Sequence, residues 1–336
     1  MSLKVGVVGA TGMVGEVFLD ILAESNFPVA ELRLFASEKS AGLSKQWKLR
    51  EHLVRTLENG CFEGLDLVFF SSGDPISAEW APRAVKDGAY AIDNSAAFRM
   101  DPQTALVVPE VNGHLLKELQ GPCIIANPNC STIQLVVALK PLADTFGLAD
   151  VRVATYQSVS GAGRPGADEL GEQVQRYFES ESPEPKAFPH PIAFNCIPQI
   201  GSFSADGFCS EEIKIMNETR KILSLPNLRI SAFTVRVPTF NSHAEAVWVT
   251  LEKSAEERDV VQALEKGQGL VVVNDSANAK YPMMATTSGH DPVFVGRVHR
   301  DLYNPDTYML WVVADNLRKG AALNGLQIAQ RIFDIH

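Results

Sequence analysis

The stretch from Val5 to Gly15 constrains this chain more than any other. Val5 to Val8 is a short apolar run that stops at Gly9, and Gly9-Ala10-Thr11-Gly12-Met13-Val14-Gly15 leads into a segment of helical spacing, Gly15 to Ala23. A strand that turns through glycines into a helix makes a tight corner. Its bare backbone can approach a pyrophosphate, and the helix N-terminus offers free N–H groups and a partial positive charge. The spacing is G-x-x-G-x-x-G rather than G-x-G-x-x-G, so context carries the reading. Gly9, Thr11, Gly12, Met13 and Val14 are the candidates for holding a dinucleotide; the competing reading is an ordinary Gly-rich βα turn.

The first third continues the alternation. Leu32 to Ala36, Leu67 to Phe70, Tyr90 to Ile92 and Ile124 to Ala126 are further short apolar runs, and Ile76 to Lys86 has helical spacing between two of them. Strands alternating with helices imply parallel pairing in a doubly wound, Rossmann-type α/β sheet. After about Asn129 the pattern changes. Val151 to Val159, Leu228 to Val237, Ala244 to Leu251, Val293 to Arg300 and Tyr308 to Ala314 are longer, and several alternate in polarity as half-buried antiparallel strands do. Helical segments at Gly166 to Phe178, Glu211 to Leu223 and Ala255 to Lys266 complete a second α+β domain, with helices on one face of a mixed, largely antiparallel sheet. Ser182 to Pro189 carries three prolines and reads as a surface loop. Lys319 to Phe333 is helical again and returns to the first domain. The expected division is 1–128 plus about 318–336 for the dinucleotide, and 129–317 for catalysis and dimerisation.

A chain of 336 residues suits two such cores. No run of 18 apolar residues occurs, so no membrane span is expected. The opening Met1 to Val5 has no leader-like pattern. A net charge of −10 argues against a nucleic-acid partner, yet a few focused basic residues suffice for small anions. Five cysteines, none at C-x-x-C spacing, disfavour a disulfide framework or a zinc site. A reducing, cytoplasmic setting and no metal are expected.

The chemistry concentrates at Ile124-Ile125-Ala126-Asn127-Pro128-Asn129-Cys130-Ser131-Thr132-Ile133. A strand runs into Asn-Pro-Asn, and Cys130 opens an apolar helix. The helix dipole stabilises a thiolate there and makes Cys130 a nucleophile rather than a small core residue. Cys61, Cys123, Cys196 and Cys209 lack that context. A cysteine nucleophile needs a base. His243, in a loop between two strand-like runs, is the candidate; His52, His114, His190, His290, His299 and His336 read as ordinary residues. Arg236, seven residues before His243 at a strand end, can grip a carboxylate in a bidentate fork. At the end of the second strand Ser37-Glu38-Lys39-Ser40 should face the cofactor ribose; Glu38 favours a free hydroxyl, while Lys39 and Ser40 favour a 2′-phosphate, hence NADP over NAD.

Gly9 to Gly15, Asn127 to Thr132, Tyr156-Gln157-Ser158-Val159-Ser160-Gly161-Ala162-Gly163, Glu211 to Lys214 and Asp315-Asn316 stand in one order along the chain. The set resembles the aspartate-β-semialdehyde dehydrogenase family from residue 4 to about 332. The resemblance implies that Cys130 forms a thioester, His243 is the general acid/base and Gln157 positions the substrate. It implies that Arg236 binds the substrate α-carboxylate, while Glu211 recognises the amino group or orients Arg236. Arg99 and Lys214, with Asn129 beside the nucleophile, are implied for phosphate and substrate. Ser160, Gly161 and Asn316 are implied near the nicotinamide, and Ser72 and Gly73 beside the cofactor. Without it, Lys214 and Glu211 would read as a solvated helix face, Arg99 as a surface ion pair and Gln157 as a strand-end polar residue. The implied activity is NADPH-dependent conversion of β-aspartyl phosphate to aspartate semialdehyde, on the route to lysine, threonine and methionine, by a homodimer or homotetramer acting on small molecules. The alternatives are a reductase of another acyl phosphate, such as N-acetylglutamyl phosphate, and a non-catalytic paralogue. Three positions depart from the family's frequent residues: Ser242-His243-Ala244 for Gly-His-Ser, Lys39 for Arg, and Ala96 for Ser.

Overall fold

The computed structural model describes residues 2–335; Met1, and His336, to which no role is assigned above, lie outside the described residues. The chain forms two compact units, Met1–Asn129 with Ala321–His336, and Cys130–Gly320.

In the first unit the elements are β1 (Leu3–Val8), α1 (Met13–Glu24), β2 (Val29–Phe35), β3 (Ser44–Trp47), β4 (Arg50–Arg55), β5 (Leu67–Phe70), α2 (Asp74–Lys86), β6 (Tyr90–Asp93), β7 (Ala105–Leu106), α3 (Pro109–Asn112) and β8 (Ile124–Ala126). The strands form one sheet in the order β3-β4-β2-β1-β5-β6-β8-β7. Every pairing is parallel except β3 with β4. Strand side chains alternate between faces, and here both faces are buried. Val5, Val7, Leu34, Leu67 and Phe69 join one core with α1, whereas Val8, Phe35, Val68 and Phe70 join a second core with Ala81 and Ala84 of α2. This is the doubly wound arrangement expected from the short apolar runs. The β3–β4 hairpin was not visible in the sequence. Its strands are polar and largely exposed, and its turn is Trp47-Lys48-Leu49-Arg50, with Lys48 at φ 52° rather than a glycine or asparagine. Contacts from outside hold it: Trp47 Nε1 donates to Leu19 O at 2.9 Å, and Lys45 pairs with Glu16 at 2.6 Å.

The second unit contains α4 (Cys130–Phe146), β9 (Leu148–Gln157), α5 (Gly163–Phe178), α6 (Ser210–Leu223), β10 (Arg229–Arg236), β11 (His243–Leu251), α7 (Glu257–Glu265), β12 (Leu270–Val272), α8 (Met284–Thr287), β13 (Val293–Arg300) and β14 (Thr307–Ala314). Its six-stranded sheet runs β10-β9-β11-β14-β13-β12. The two outer pairings are parallel and the three inner ones antiparallel. Helix α4 lies across β9, β11, β14 and β13, flanked by α6 and α7. That face takes the buried set of each strand, such as Val151, Val153, Thr155 and Gln157 of β9. The opposite face carries Tyr156, Phe233 and Trp248, each more than a third exposed.

The chain then passes through a π-helical turn, Arg318–Ala322, into α9 (Leu323–Ile332), which packs in the first unit. Leu323, Leu326, Ile328 and Ala329 join the α1 side of that core. Gly325 lies so close to the Phe69 ring that a Cβ would stand 2.4 Å from it. Phe69 also stacks on Phe18, with centroids 4.0 Å apart and planes within 6°. Phe69 is therefore held by β1, α1 and α9 together. Phe69→Ala should cost the first unit about 3–5 kcal/mol, read as an earlier urea transition monitored on that unit.

Candidate active site

In the second unit, sheet register does the assembling. Arg236 ends β10, Gln157 ends β9 and His243 opens β11, and the pairing places Arg236 opposite Gln157 and Gln157 opposite His243. Ala314, at the end of β14, faces His243 from the other side. The three functional side chains thus form one row at one end of the sheet, on its helix-covered face. His243 was expected in a loop. It is instead the first residue of β11, because pairing with both β9 and β14 extends the strand one residue beyond the apolar run Ala244 to Leu251.

His243 is fully buried. Burial, reinforced by the Arg236 guanidinium, pushes its imidazole down to about 3, so the ring is neutral near neutral pH. The Ser158 backbone N–H donates to Nδ1 at 3.1 Å. An N–H can only donate, so Nδ1 accepts and the ring proton of the neutral imidazole sits on Nε2. Nε2 makes no hydrogen bond to protein among the described residues. Ser242 O, 3.0 Å from Nδ1, becomes that atom's acceptor when the ring is protonated. Ser242 itself has φ 69°, the left-handed region where glycine is favoured.

Arg236 is buried and donates from Nη1 to Ser158 O at 2.6 Å. Burial depresses its proton affinity, while electrostatic interaction with Glu211 and Cys130 opposes that shift. An arginine stays charged under such pressure. Its guanidinium also lies 5.8 Å from the Phe188 ring. Gln157 donates from Nε2 to Ser131 Oγ at 2.8 Å and, more weakly, to Glu211 Oε1 at 3.4 Å. Ser131 follows Cys130, the first residue of α4, so Gln157 ties the start of that helix to the row.

Helix α6 supplies Glu211 and Lys214, which form a long ion pair at 3.7 Å. Their neighbour Glu212 fixes the helix: it accepts from the Cys209 N–H in a capping box and from the Thr234 N–H of β10. Asn316 Oδ1 accepts from Ser158 Oγ and Ser160 Oγ at 3.2 Å each. Asp315 accepts from Asn241, Gly289, Leu317 and Arg318 and so organises the segment beyond β14. Two glycines close the walls. A Cβ on Gly161 would meet Arg236 Nη1 at 2.8 Å and His243 Nε2 at 3.3 Å, and a Cβ on Gly320 would meet Cys130 Cβ at 3.0 Å.

Sequence reasoning missed Ser158, Ser131 and Gly320 as participants. Ser158 was visible only as part of the Tyr156–Gly163 motif. Gly320 lies in what reads as plain helix; its N–H bonds back to Asp315 O, a π-type step that sequence periodicity does not announce.

In the first unit, Arg99 is buried and donates to Asn127 O at 3.0 Å and Asn94 O at 2.9 Å. Asn129 is buried too. A cavity of about 410 Å³ is lined by Gly9, Thr11, Gly12, Ser72, Glu38 and Trp80, among others. Gly9 has φ 82°, and a Cβ on Gly15 would stand 2.2 Å from Gly9 O. Helix α1 has no side-chain cap at Gly12, which leaves its first N–H groups open; α2 also starts without a side-chain cap, at Gly73, but Pro75 has no N–H and the Ile76 and Ser77 N–H groups return to Gly73 O. Met13 and Val14 open α1. Thr11 Oγ1 donates to Ser40 Oγ at 3.3 Å. Glu38 lines the cavity, whereas Lys39 stands exposed beside it on the same short turn. Among the described residues no cluster of three or more His, Cys, Asp or Glu could hold a metal ion, and no helix is long and apolar enough to cross a membrane.

One doubly wound unit with an open glycine turn, and one unit holding a thiol, an imidazole and a buried arginine, together define the class of semialdehyde dehydrogenases. Residues 4–119 match the semialdehyde dehydrogenase NAD binding domain, and 139–319 the semialdehyde dehydrogenase dimerisation domain. Aspartate-semialdehyde dehydrogenases of Aquifex aeolicus and Bacillus subtilis are 47% and 44% identical to it, over 98% of this chain and 98% and 97% of theirs. The Vibrio cholerae aspartate semialdehyde dehydrogenase II, solved with ASA, superposes with TM-score 0.96 at 42% identity, covering 99% of each chain. The chain belongs to the aspartate-semialdehyde dehydrogenase family.

Two outcomes follow from this geometry. The depressed imidazole means that the unfolded chain binds a proton at His243 between about pH 3 and 6.5 that the native state does not. Its contribution to stability is complete above pH 6.5 and shrinks as pH falls toward 3. Urea midpoints of His243→Gln should therefore decline less steeply across that window than those of the parent. Gly320→Ala should push Cys130 aside, slowing its alkylation seen by intact mass and, if Cys130 reacts in turnover, lowering turnover by about a hundredfold, at little change in thermal midpoint.

Proposed function

We propose that the protein is an NADP-dependent aspartate-semialdehyde dehydrogenase that converts β-aspartyl phosphate to aspartate semialdehyde and phosphate through a thioester on Cys130. The observation that carries this reading is the row Arg236–Gln157–His243, with Gln157 bonded to the start of the Cys130 helix. A fixed cation for a carboxylate thus stands in one layer with a proton donor and the tether of a nucleophile.

The first unit, 1–128 with the C-terminal helix, is the dinucleotide-binding domain in this reading. The open N–H groups at the start of α1, and the bare turn at Gly9 and Gly12, suit a pyrophosphate. Gly9, Thr11, Gly12, Met13, Val14, Ser72 and Gly73 hold the cofactor, Lys39 and Ser40 serve a 2′-phosphate, and Ser160, Gly161 and Asn316 serve the nicotinamide end. When bound, the cofactor supplies the hydride that reduces the thioester.

The chain's own residues do the rest. Cys130 attacks the acyl carbon and the carbon–oxygen bond to phosphate breaks. Arg99 in the first unit and Lys214 in the second, with Asn129, each offer the phosphate a charge or a hydrogen bond. Arg236 fixes the α-carboxylate, and Glu211 takes the amino group. Nε2–H of His243 donates to the developing oxyanion, in the tautomer that Ser158 enforces. The substrate carboxylate also neutralises the Arg236 charge that depresses His243. Proton affinity at the imidazole therefore rises when substrate is in place. The exposed aromatic face of the second sheet, Tyr156, Phe233 and Trp248, supports a homodimer formed through it.

The test is reduction of NADP⁺ by aspartate semialdehyde, followed through the absorbance of the reduced cofactor. Wild type should require phosphate, Cys130→Ala should be inactive while still binding cofactor, and Arg236→Leu should lose about two orders of magnitude in kcat/KM. Activity with NAD⁺ alone would transfer the cofactor assignment from Lys39 to Glu38. Turnover only with a longer acyl phosphate would favour the N-acetylglutamyl alternative, and none at all would favour a non-catalytic paralogue.

A further inference from the structure

A second polar layer lies directly beneath the proposed reacting one. Residues two apart on a strand share a face, so Glu245 follows His243 on the helix-covered side of β11. Residues four apart on a helix stand one above the other, so Gln134 follows Cys130 on α4. Glu245 faces Thr155 of β9 and Val312 of β14 in the register. Glu245, Gln134 and Thr155 are all at most 1% exposed. Among the described residues no group makes a well-formed hydrogen bond to either carboxyl oxygen of Glu245, either polar atom of the Gln134 amide or the Thr155 hydroxyl, and the Gln134 amide is the polar side chain that acts on the Glu245 carboxyl. The rest of the β11 inner face is apolar: Val247, Val249 and Leu251. An acid in such a layer is out of keeping with its surroundings.

Its protonation state follows from its surroundings. Burial pushes the Glu245 carboxyl well above the usual carboxylate range, and the Gln134 amide is the polar group that partly opposes this. The elements packed on β11 are β9, β14 and α4. They present Thr155, Val312 and Gln134, none of them a cation, and His243 is the titratable neighbour on β11 itself. An ionised carboxylate without a cation there is strongly disfavoured. A carboxylic acid offers one O–H donor and one carbonyl acceptor, the complement of a primary amide's acceptor and donors. A carboxylate would offer acceptors only and leave the amide oxygen of Gln134 without a donor.

We propose that Glu245 is a positioning residue for this active site, working as an uncharged acid that pairs with the Gln134 amide and so sets the height of Cys130 over His243. The inference rests on the Cys130–His243 reading given above. Both residues sit one repeat below the proposed nucleophile and proton donor, on the same two elements. A pair fixed there locks α4 to β11 where apolar contacts would let it slide. The carboxyl carries no charge that would repel an anionic substrate.

Three variants and one spectrum test this. Glu245→Gln keeps the shape and neutrality, so kcat should stay within about threefold and its pH profile should not move. Glu245→Leu should fold, since apolar replacement of a buried polar group is often neutral or stabilising; Glu245→Met serves if it does not. The apolar variant should lose about tenfold or more in kcat at nearly unchanged KM, with slower alkylation of Cys130. The infrared difference between wild type and Glu245→Gln should show a protonated carboxyl C=O band that persists across about pH 5–9. A Gln variant as impaired as the apolar one, a displaced pH profile, or a band that titrates in that range would overturn the proposal by showing that the charge is required. Full activity in Glu245→Leu would overturn it by reducing the residue to core filling. The alkylation and infrared readouts need no substrate, so they separate failure of this proposal from failure of the assigned reaction.

Discussion

The register of β10, β9 and β11 is the constraint from which the site follows. Arg236, Gln157 and His243 come from three strands far apart in sequence, yet the pairing sets them side by side. A slip of one residue in either pairing would turn a strand's buried set outward. Val151 and Val153 on β9, and Val247 and Val249 on β11, would then leave the core. The apolar core of the second unit therefore enforces the geometry of its polar end. The same pairing fixes the ring proton of His243, because the Ser158 N–H that meets Nδ1 comes from the residue just beyond β9.

Electrostatics in this row is a balance rather than a sum. Arg236 and His243 are both buried, and burial disfavours the charged form of each. The arginine keeps its charge because its intrinsic proton affinity is so high and because Glu211 and Cys130 counter it. The imidazole gives up its own. In the proposed reaction, a neutral donor facing a fixed cation is a resting state prepared for an anionic ligand: the ligand's carboxylate would answer the arginine and restore the imidazole's affinity for a proton. Ser242, left-handed at φ 69°, holds the carbonyl that would receive the charged form. That a glycine is frequent at this position in the family has a backbone reason, since a non-glycine residue pays about 1–2 kcal/mol there.

Much of this was legible beforehand, and what was not has physical causes. The runs Leu67 to Phe70 and Val293 to Arg300 agree with β5 and β13 to the residue, because buried strands bounded by turn residues leave a period that needs no partner to be seen. The β3–β4 hairpin was invisible because its strands are polar and held by contacts from α1, information that no local window contains. His243 read as a loop residue because strand length here is decided by two neighbours, not by its own apolarity. In the site, Cys130 is legible from its place at a strand-to-helix turn, whereas Lys214, Glu211 and Arg99 read as surface charge without the family resemblance. Glu38 and Lys39 were legible as opposed signals, and the structure adds that the acid, not the lysine, lines the cavity.

The features that local rules missed gather around the proposed reacting groups. The π-turn that carries Gly320 onto Cys130, the left-handed Ser242, the close approach of Gly161 to Arg236 and the buried acid at Glu245 each break a local preference, and all lie within one end of one sheet or the segments entering it. A sequence selected for stability alone would have regular helix, glycine and valine at three of these four positions. Their coincidence has an energetic meaning: strain and unsatisfied polarity persist only where the surrounding core over-determines the backbone. Here the inner strands of the sheet, paired on both sides, provide that rigidity. Only a rigid frame can hold a thiol, an imidazole and a guanidinium within a fraction of an ångström of a working arrangement.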